Sequence, residues 1–418
     1  MTGRRLRRLL AVAASAAAAV LALAIPGGAA RAAEDYAALA EAKALAVSPR
    51  RPDEVRGLVH GQPHDLAAAR AALDACQRQA APDEPCEVVR LNGERITTGA
   101  EIRARVPARH PLFLWRFERQ GTVVYLAGSI HILKPTLYPL PAQIETAFER
   151  ADHLVLEVDV TALPPQALQQ RTLAYGLLPP GQSLRAVLPD TLYAALGNRL
   201  ADYGMTPDML DRAKPAMVMN QIVVSRLMSL GYLPDSGLES HFLARRAGRT
   251  VLELESLDDQ LDLLFNQPLD TQIELLAETL EVADDIEPLL TGMLLAWLSG
   301  DDAAFLESFR AQSGDSPRAR AFTRALLEDR NHVMADGIAR FLAAADGASR
   351  TYFVLVGAAH LVGEEGIVPL LADRGYRGRR IHAGETLLDQ PGARRVALGA
   401  RRVALMLRGL PHSGELLL

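Results

Sequence analysis

Short apolar runs separated by turn residues mark the strands of this chain. Residues 112–117 and 123–127 flank Gln120-Gly121 and predict a β-hairpin whose second strand is buried on both faces. Three further apolar runs predict strands at residues 153–158, 250–254 and 352–356. Helical patterns separate these runs, so the sequence predicts an α/β fold with a central mixed sheet.

Helical periodicity fills two long segments between the strands, at about residues 164–231 and 257–345. Each is interrupted by proline or glycine, which indicates several helices rather than one long one. We therefore expect flanking and inserted helices around the sheet, and we place this core domain at residues 111–388.

The region before the core, residues 33–110, is predicted to be a small accessory unit. It is alanine-rich and helical in pattern as far as Cys76, and residues 87–91 then resemble a short strand. Cys76 and Cys86 are the only cysteines in the chain. In an oxidising compartment they would close a short loop, and we predict a disulfide between them.

The first 32 residues have the three parts of a secretory signal peptide. Arginines precede an apolar run at residues 9–25, and Ala30-Arg31-Ala32 supplies small residues for cleavage near Ala32. An uncleaved anchor fits less well, because the run is slightly short for a membrane span. A twin-arginine signal also fits less well, because Arg7 and Arg8 interrupt the apolar residues that should follow the first arginine pair. We predict a periplasmic or secreted protein.

Removal of this leader takes away five arginines and no acid, so the net charge of −5 becomes about −10. Nucleic-acid binding usually needs a basic surface, and a strongly acidic chain argues against it. The expected partner is a peptide or a small-molecule substrate, and the oligomeric state stays open.

The last thirty residues, 389–418, form a basic amphipathic tail. The same five-residue sequence occurs at residues 394–398 and 401–405, and on a helix its arginines would lie opposite its apolar side chains. Such a helix could make weak contact with an anionic membrane surface. Packing of a terminal helix on the domain is the simpler interpretation, and we favour it.

Two segments with the same construction are candidates for chemistry. The strand at residues 123–127 leads into Gly128-Ser129-Ile130-His131, and the strand at residues 352–356 leads into Gly357-Ala358-Ala359-His360. A glycine at a strand's carboxyl end permits a sharp turn and close backbone approach, and ligands collect at that edge of α/β sheets. Both histidines should therefore point into one crevice, where imidazole commonly binds a transition metal.

Carboxylates at the ends of the intervening strands could complete such a site. Glu157 follows the run at residues 153–156, and Glu255 follows the run at residues 250–254. We take Glu157 as the first candidate ligand or general base and Glu255 as the second. Glu239 lies near a predicted helix start, and we interpret it as a capping residue.

The competing interpretation of a lone Gly-x-x-His element is a hydrogen-bonded core histidine. Two matched elements favour a site over that interpretation. The chain has no Gly-x-Ser-x-Gly, His-Glu-x-x-His or Cys-x-x-Cys motif and no phosphate-binding glycine-rich loop. Ser129 is a poor nucleophile candidate, because its separation from His131 at a turn is unsuitable for mutual hydrogen bonding.

These motifs, in this order and spacing, resemble the TraB/GumN family over about residues 111–381. The segments that carry the resemblance are Gly128-Ser129-Ile130-His131, Glu157, Gly237-Leu238-Glu239 with Phe242, Leu254-Glu255, Arg330-Asn331 with Met334, and Val356-Gly357-Ala358-Ala359-His360-Leu361-Val362-Gly363. The resemblance implies a fold similar to the erythromycin-esterase and ChaN-like group. Through the family's TIKI members, it also implies a metal-dependent peptidase that uses two Gly-x-x-His motifs and a glutamate.

The sequence therefore favours an exported metal-dependent hydrolase that holds zinc, manganese or cobalt. His131, His360 and Glu157 are its candidate catalytic and metal-binding residues, with Glu255 as a further ligand. Arg330 and Asn331 could bind a substrate carboxylate, or form a buried pair that ties a helix to the sheet. The alternative function is an envelope protein that binds haem, a metal or a small ligand in the same crevice without turnover.

Overall fold

The computed structural model describes residues 36–310, 316–344 and 349–387, which contain a four-stranded and a six-stranded sheet. The predicted signal peptide and the predicted basic tail both lie outside the described residues.

The N-terminal sheet has the order β2-β1-β3-β4 with antiparallel neighbours. Its strands are β1 (Ala44–Val47), β2 (Arg56–Val59), β3 (Glu87–Leu91) and β4 (Glu94–Arg95). The helical pattern predicted up to Cys76 is wrong for β1 and β2. Alanine is a strong helix former, but intrinsic propensity is small compared with tertiary interactions, and pairing with β3 outweighs it in β1. The predicted strand at residues 87–91 is confirmed.

The core sheet is mixed, as predicted, with the order β10-β5-β6-β9-β7-β8. Its strands are β5 (Pro111–Arg119), β6 (Thr122–Ser129), β7 (His153–Leu156), β8 (Thr250–Glu253), β9 (Thr351–Gly357) and β10 (Arg379–His382). Strands β6, β9, β7 and β8 are parallel neighbours, whereas β5 pairs antiparallel with β6 and β10. The predicted hairpin is confirmed, and its turn has positive φ at Gln120 (50°) and Gly121 (88°), as a tight hairpin turn requires.

Helices occupy the two predicted blocks, residues 164–231 and 257–345, and other helices lie before, between and after them. They are α1 (Asp65–Gln77), α2 (Gly99–Ala104), α3 (Ala142–Glu149), α4 (Pro165–Gly176), α5 (Leu184–Val187), α6 (Asp190–Ala201), α7 (Pro215–Ser229), α8 (Leu238–Ala244), α9 (Leu257–Phe265), α10 (Leu269–Val282), α11 (Ile286–Ser299), α12 (Asp302–Arg310), α13 (Pro317–Leu326), α14 (Glu328–Ala343) and α15 (Ile367–Asp373). Within the described part of the chain, no helix is both long and apolar enough to cross a membrane.

Alternation along β9 assigns helices to the two faces of the sheet. The Phe353 ring packs against Phe148 of α3 and Phe242 of α8, at centroid distances of 5.7 and 4.9 Å. The ring of Tyr352, the preceding residue, stacks on Phe341 of α14 at 4.6 Å. The core domain is therefore a sheet between two helical layers.

The predicted disulfide between Cys76 and Cys86 is present, with a Cα–Cα distance of 6.1 Å. It joins the end of α1 to the residue before β3. Buried apolar residues of both sheets, such as Val88 and Val354, belong to one continuous core. The N-terminal unit therefore packs directly on the core domain.

Candidate functional site

The parallel strands of the core sheet end at one edge and bring the predicted residues together. Ser129 pairs with Gly357 at the ends of β6 and β9, and Leu156 at the end of β7 pairs with both β9 and β8. A motif residue lies at the end of each of these strands or within two residues of it. The register aligns the carboxyl ends of the strands, so these residues are close together. The two Gly-x-x-His elements, Glu157 and Glu255 therefore share this edge, as the sequence predicts.

The two motif glycines lie where backbone and side chains approach closely. A β-carbon on Gly128 would lie 3.1 Å from the Cα of Ala358 in the other element. A β-carbon on Gly357 would lie 3.4 Å from Glu157 Oε1 and 3.5 Å from His131 Nε2, and also 3.4 Å from a ring carbon of His360. The space in front of Gly357 is thus enclosed by the three side chains predicted to carry the chemistry.

His360 is held by a neighbouring helix in the neutral form. Its Nδ1 donates to Oδ1 of Asn331 in α14 at 2.6 Å, and the Asn331 amide nitrogen donates to the Glu365 carbonyl at 2.7 Å. Burial lowers the pKa of His360 to about 3. Arg330 and His131 also lower this pKa, whereas Glu157 raises it. The ring is therefore neutral near pH 7, and its Nε2 lone pair faces the site.

His131 has a partner that the sequence analysis did not identify. Its Nδ1 lies 2.9 Å from Oε1 of Glu239, the second residue of α8. Burial lowers the pKa of His131, but the Glu239 carboxylate outweighs this effect, and the pKa is raised to about 9. No side chain caps α8, so the interpretation of Glu239 as a capping residue is wrong. Its place in the motif Gly237-Leu238-Glu239 was the only sequence signal for a role in the site.

Arg330 of α14 joins the two candidate carboxylates. Its Nη2 donates to Glu157 Oε2 and to Glu255 Oε2, each at 2.6 Å, and its Nε donates to Glu255 Oε1 at 3.0 Å. The side chain is only 10% exposed, so these bonds form largely away from water. This arrangement ties helix to sheet, which is one of the two roles considered for Arg330. Its role in substrate binding stays a prediction.

Glu157 is strongly stabilised as a carboxylate. Its Oε1 accepts from the Gly357 N–H at 2.6 Å, and its Oε2 accepts from Arg330. Burial raises the pKa of Glu157, but His360, Arg330 and His131 outweigh it and lower the pKa to about 2. Glu157 is therefore ionised at any pH at which the protein would act.

The donor chemistry of this edge fits a divalent transition metal. Both imidazoles use Nδ1 to donate to an acceptor, an arrangement that is typical of histidine ligands. Nε2 of His360 carries no proton near pH 7, whereas a metal would have to displace the Nε2 proton of His131. However, no group of three or more histidine, cysteine, aspartate or glutamate side chains in residues 36–310, 316–344 and 349–387 is already arranged to hold a metal ion. Arg330 Nη1 lies 3.3 Å from His360 Nε2 and competes for this lone pair.

Residues 113–380 match the TraB/PrgY/gumN family, and the chain belongs to this family. The resemblance inferred from the motifs is thereby confirmed.

Several proteins from other organisms are similar to this chain at low sequence identity. Metalloprotease TIKI1 of Danio rerio is 25% identical over 331 residues, which cover 68% of this chain and 65% of that protein. Metalloprotease TIKI homolog of Amphimedon queenslandica is 24% identical over 332 residues, covering 67% and 63%. Uncharacterized protein YbaP of Escherichia coli (strain K12) is 24% identical over 253 residues, covering 59% of this chain and 87% of that protein. The chain thus spans just under two thirds of the metalloprotease relatives, and no solved structure matches it.

Proposed function

We propose that this protein is a metal-dependent hydrolase, acting as a peptidase, with His131, His360 and Glu157 at its centre. The observation that carries the proposal is the matched orientation of the two imidazoles, with Nδ1 bound by Glu239 and by Asn331. Such outer bonds fix the ring and its tautomer in histidine ligands. The relatives named metalloproteases support the same reaction class.

The metal in this proposal is zinc, manganese or cobalt, and it would supply Lewis acidity toward water and a carbonyl oxygen. Glu157 presents Oε1 to the space shared with both imidazoles, whereas its Oε2 is bound by Arg330. We therefore assign Glu157 as a ligand rather than as the general base. Glu255 is a weaker candidate, because Arg330 binds both of its carboxylate oxygens.

The remaining side chains would orient the two imidazoles and stabilise negative charge on the substrate. Glu239 holds the Nδ1 proton of His131, and Asn331 holds that of His360. Arg330 Nη1 faces the same space as His360 Nε2, where it would stabilise negative charge that develops on a substrate oxygen. Substrate binding by Arg330 and Asn331 belongs to this proposal.

The proposal also includes export and the fold group. Cleavage near Ala32 would release the protein into a periplasmic or extracellular space, and the disulfide supports an oxidising location. We expect N-terminal sequencing of the exported protein to begin at about Ala33. The mixed sheet between helical layers supports, as a proposal, assignment to the erythromycin-esterase and ChaN-like fold group.

Elemental analysis of the purified protein tests the metal. We expect near-stoichiometric zinc, manganese or cobalt in the wild type and its loss in His131→Ala and His360→Ala. His332→Ala is the matched control, because His332 lies on the surface of α14 with its side chain 52% exposed, and this variant should keep the metal. Peptide and ester substrates would then be screened with the metal-loaded protein.

Failure of the wild type to take up any of the three metals after reloading would refute this function. The non-catalytic binding function would then remain, and a visible haem absorbance on purification would favour it.

A further inference from the structure

The loop that follows His131 runs from the candidate site into the N-terminal unit. Lys134, three residues after His131, is fully buried, and its Nζ donates to the Thr97 carbonyl oxygen at 2.6 Å. The same ammonium group lies 5.0 Å from the centre of the Tyr232 ring. A lysine without any exposed surface is rare unless its charge has partners, so this junction is a specific feature of the chain.

Thr136 makes a second connection to the same unit. Its hydroxyl donates to Glu87 Oε2 at 2.7 Å, and the Gly99 N–H donates to the same oxygen at 2.9 Å. A β-carbon on Gly99 would lie 2.5 Å from Thr136 Oγ1, so only glycine permits this approach. Glu87 is 1% exposed and directly follows Cys86, so the disulfide anchors the strand that carries this carboxylate.

Helix α11 connects the N-terminal unit and the first Gly-x-x-His element from another side. Glu287, in its first turn, accepts from the Thr97 N–H at 2.8 Å. Near its other end, Trp297 Nε1 donates to the Gly128 carbonyl oxygen at 3.0 Å. The backbone of Thr97 is therefore bonded on both sides, by Lys134 and by Glu287.

Buried charges of this kind contribute little to net stability, because desolvation offsets their attraction. Burial lowers the pKa of Lys134, against the opposing effect of Glu87 and Glu287. Such a cluster can instead fix one local conformation of the backbone. The geometry it constrains here is the backbone directly after His131.

We propose that the N-terminal unit, residues 36–110, is a positioning part of the candidate site, which holds the His131 loop through Lys134 and Thr136. These two side chains and Glu87 are positioning residues, since none of them faces the space in front of Gly357. The effect of this positioning on metal binding rests on the proposed function, whereas its effect on the loop does not.

Hydrogen exchange on the full-length mature protein tests the proposal directly. Thr136→Val removes one hydroxyl donor at nearly constant volume, and Lys134→Met removes the ammonium group. The amides to follow are those of Leu133, which donates to the Leu233 carbonyl at 3.3 Å, and of Leu137, which donates to the Lys134 carbonyl at 3.0 Å. We expect their exchange to be faster by about ten- to a hundredfold, the effect of losing a hydrogen bond to a charged group.

Thr279→Val is the matched control. Thr279 is also buried, but its hydroxyl donates to the Leu275 carbonyl within α10 and takes no part in the junction. Exchange in residues 130–138 should not change in this variant. In all three variants, exchange in residues 357–361 should stay as in the wild type, because Asn331 holds His360 from α14.

Unchanged exchange at Leu133 and Leu137 in both junction variants would overturn the proposal. Equal acceleration in the Thr279→Val control, or throughout the sheet, would also overturn it, since that result indicates general destabilisation. Cobalt or zinc affinity measured on the same samples separates the two proposals. A wild type that binds no metal but shows the selective exchange effect would refute the function and leave the positioning role in place.

Discussion

The pairing of Glu239 with His131 predicts how this site responds to pH. Against the effect of burial, Glu239 and, to a smaller extent, Glu157 raise the pKa of His131 from 6.5 to about 9, and one pKa unit corresponds to about 1.4 kcal/mol. These interactions of His131 therefore contribute at most about 3.5 kcal/mol to the free energy of unfolding in metal-free protein. Because the folded-state pKa is the higher one, this contribution is complete below pH 6.5 and is lost as pH rises through 9.

Glu239→Gln removes the charge and keeps the size of the side chain. Burial of His131 remains, so we expect its pKa to fall below 6.5 in the variant. The variant should lose up to about 3 kcal/mol of stability at pH 6 and much less at pH 10. His360, whose pKa is lowered to about 3, has the opposite pH dependence in both proteins, so the difference between them isolates His131.

Two measurements on chelator-treated protein check this expectation. Histidine-selective NMR, assigned with His131→Gln, gives the pKa of His131, and urea unfolding at pH 6 and pH 10 gives the stability. Glu145→Gln is the matched control, because Glu145 makes the same 2.9 Å contact with His241 outside the site and should leave His131 unchanged. A wild-type His131 that titrates at or below 6.5, or an equal stability loss at both pH values, would refute the reasoning.

Three other perturbations have defined outcomes. Arg330→Met leaves Glu157 and Glu255 buried without their cation, so urea unfolding should show a free energy of unfolding lower by about 3–5 kcal/mol. A decrease of less than about 1 kcal/mol would contradict the buried network. Gly357→Ala places a methyl group at ordinary contact distance from the surrounding side chains, in the space where the metal would bind. Circular dichroism should therefore show a folded protein, and elemental analysis should show loss of metal. Gly93→Ala, with open space around it, should keep the metal. Reduction of the N-terminal disulfide should lower the unfolding free energy by about 2–3 kcal/mol, the value expected for closing a loop of this length, and an unchanged urea midpoint would contradict this.

Local sequence patterns were sufficient for the elements that lie within one stretch of chain. The hairpin at Gln120-Gly121, the buried strands and the two helical blocks follow from periodicity and turn residues. β1 and β2 could not be predicted in this way, because neither Ala-Leu-Ala-Val nor Arg-Gly-Leu-Val is a distinct run of strand-forming residues. Pairing with β3, which is distant in sequence, is what makes β1 a strand.

The sequence by itself indicated that the two motif histidines and one carboxylate lie at the same edge of the sheet. A histidine three residues after a glycine at a strand end, and an acid at the end of a parallel strand, must lie at the same edge of the sheet once those strands are neighbours. His131, His360 and Glu157 could therefore be named without a structure. The disulfide was also predictable, since the chain has one possible pair of cysteines.

The tertiary structure alone decided what each of these residues contacts. Glu239 reaches His131, and Arg330 reaches Glu157, from helices that are separated from them by about a hundred residues or more of chain. The link from Thr136 to Glu87 likewise joins the loop after β6 to a strand of the N-terminal sheet. Such contacts depend on how helices dock on the sheet, which periodicity does not encode, and these contacts determine the charge and orientation of the site.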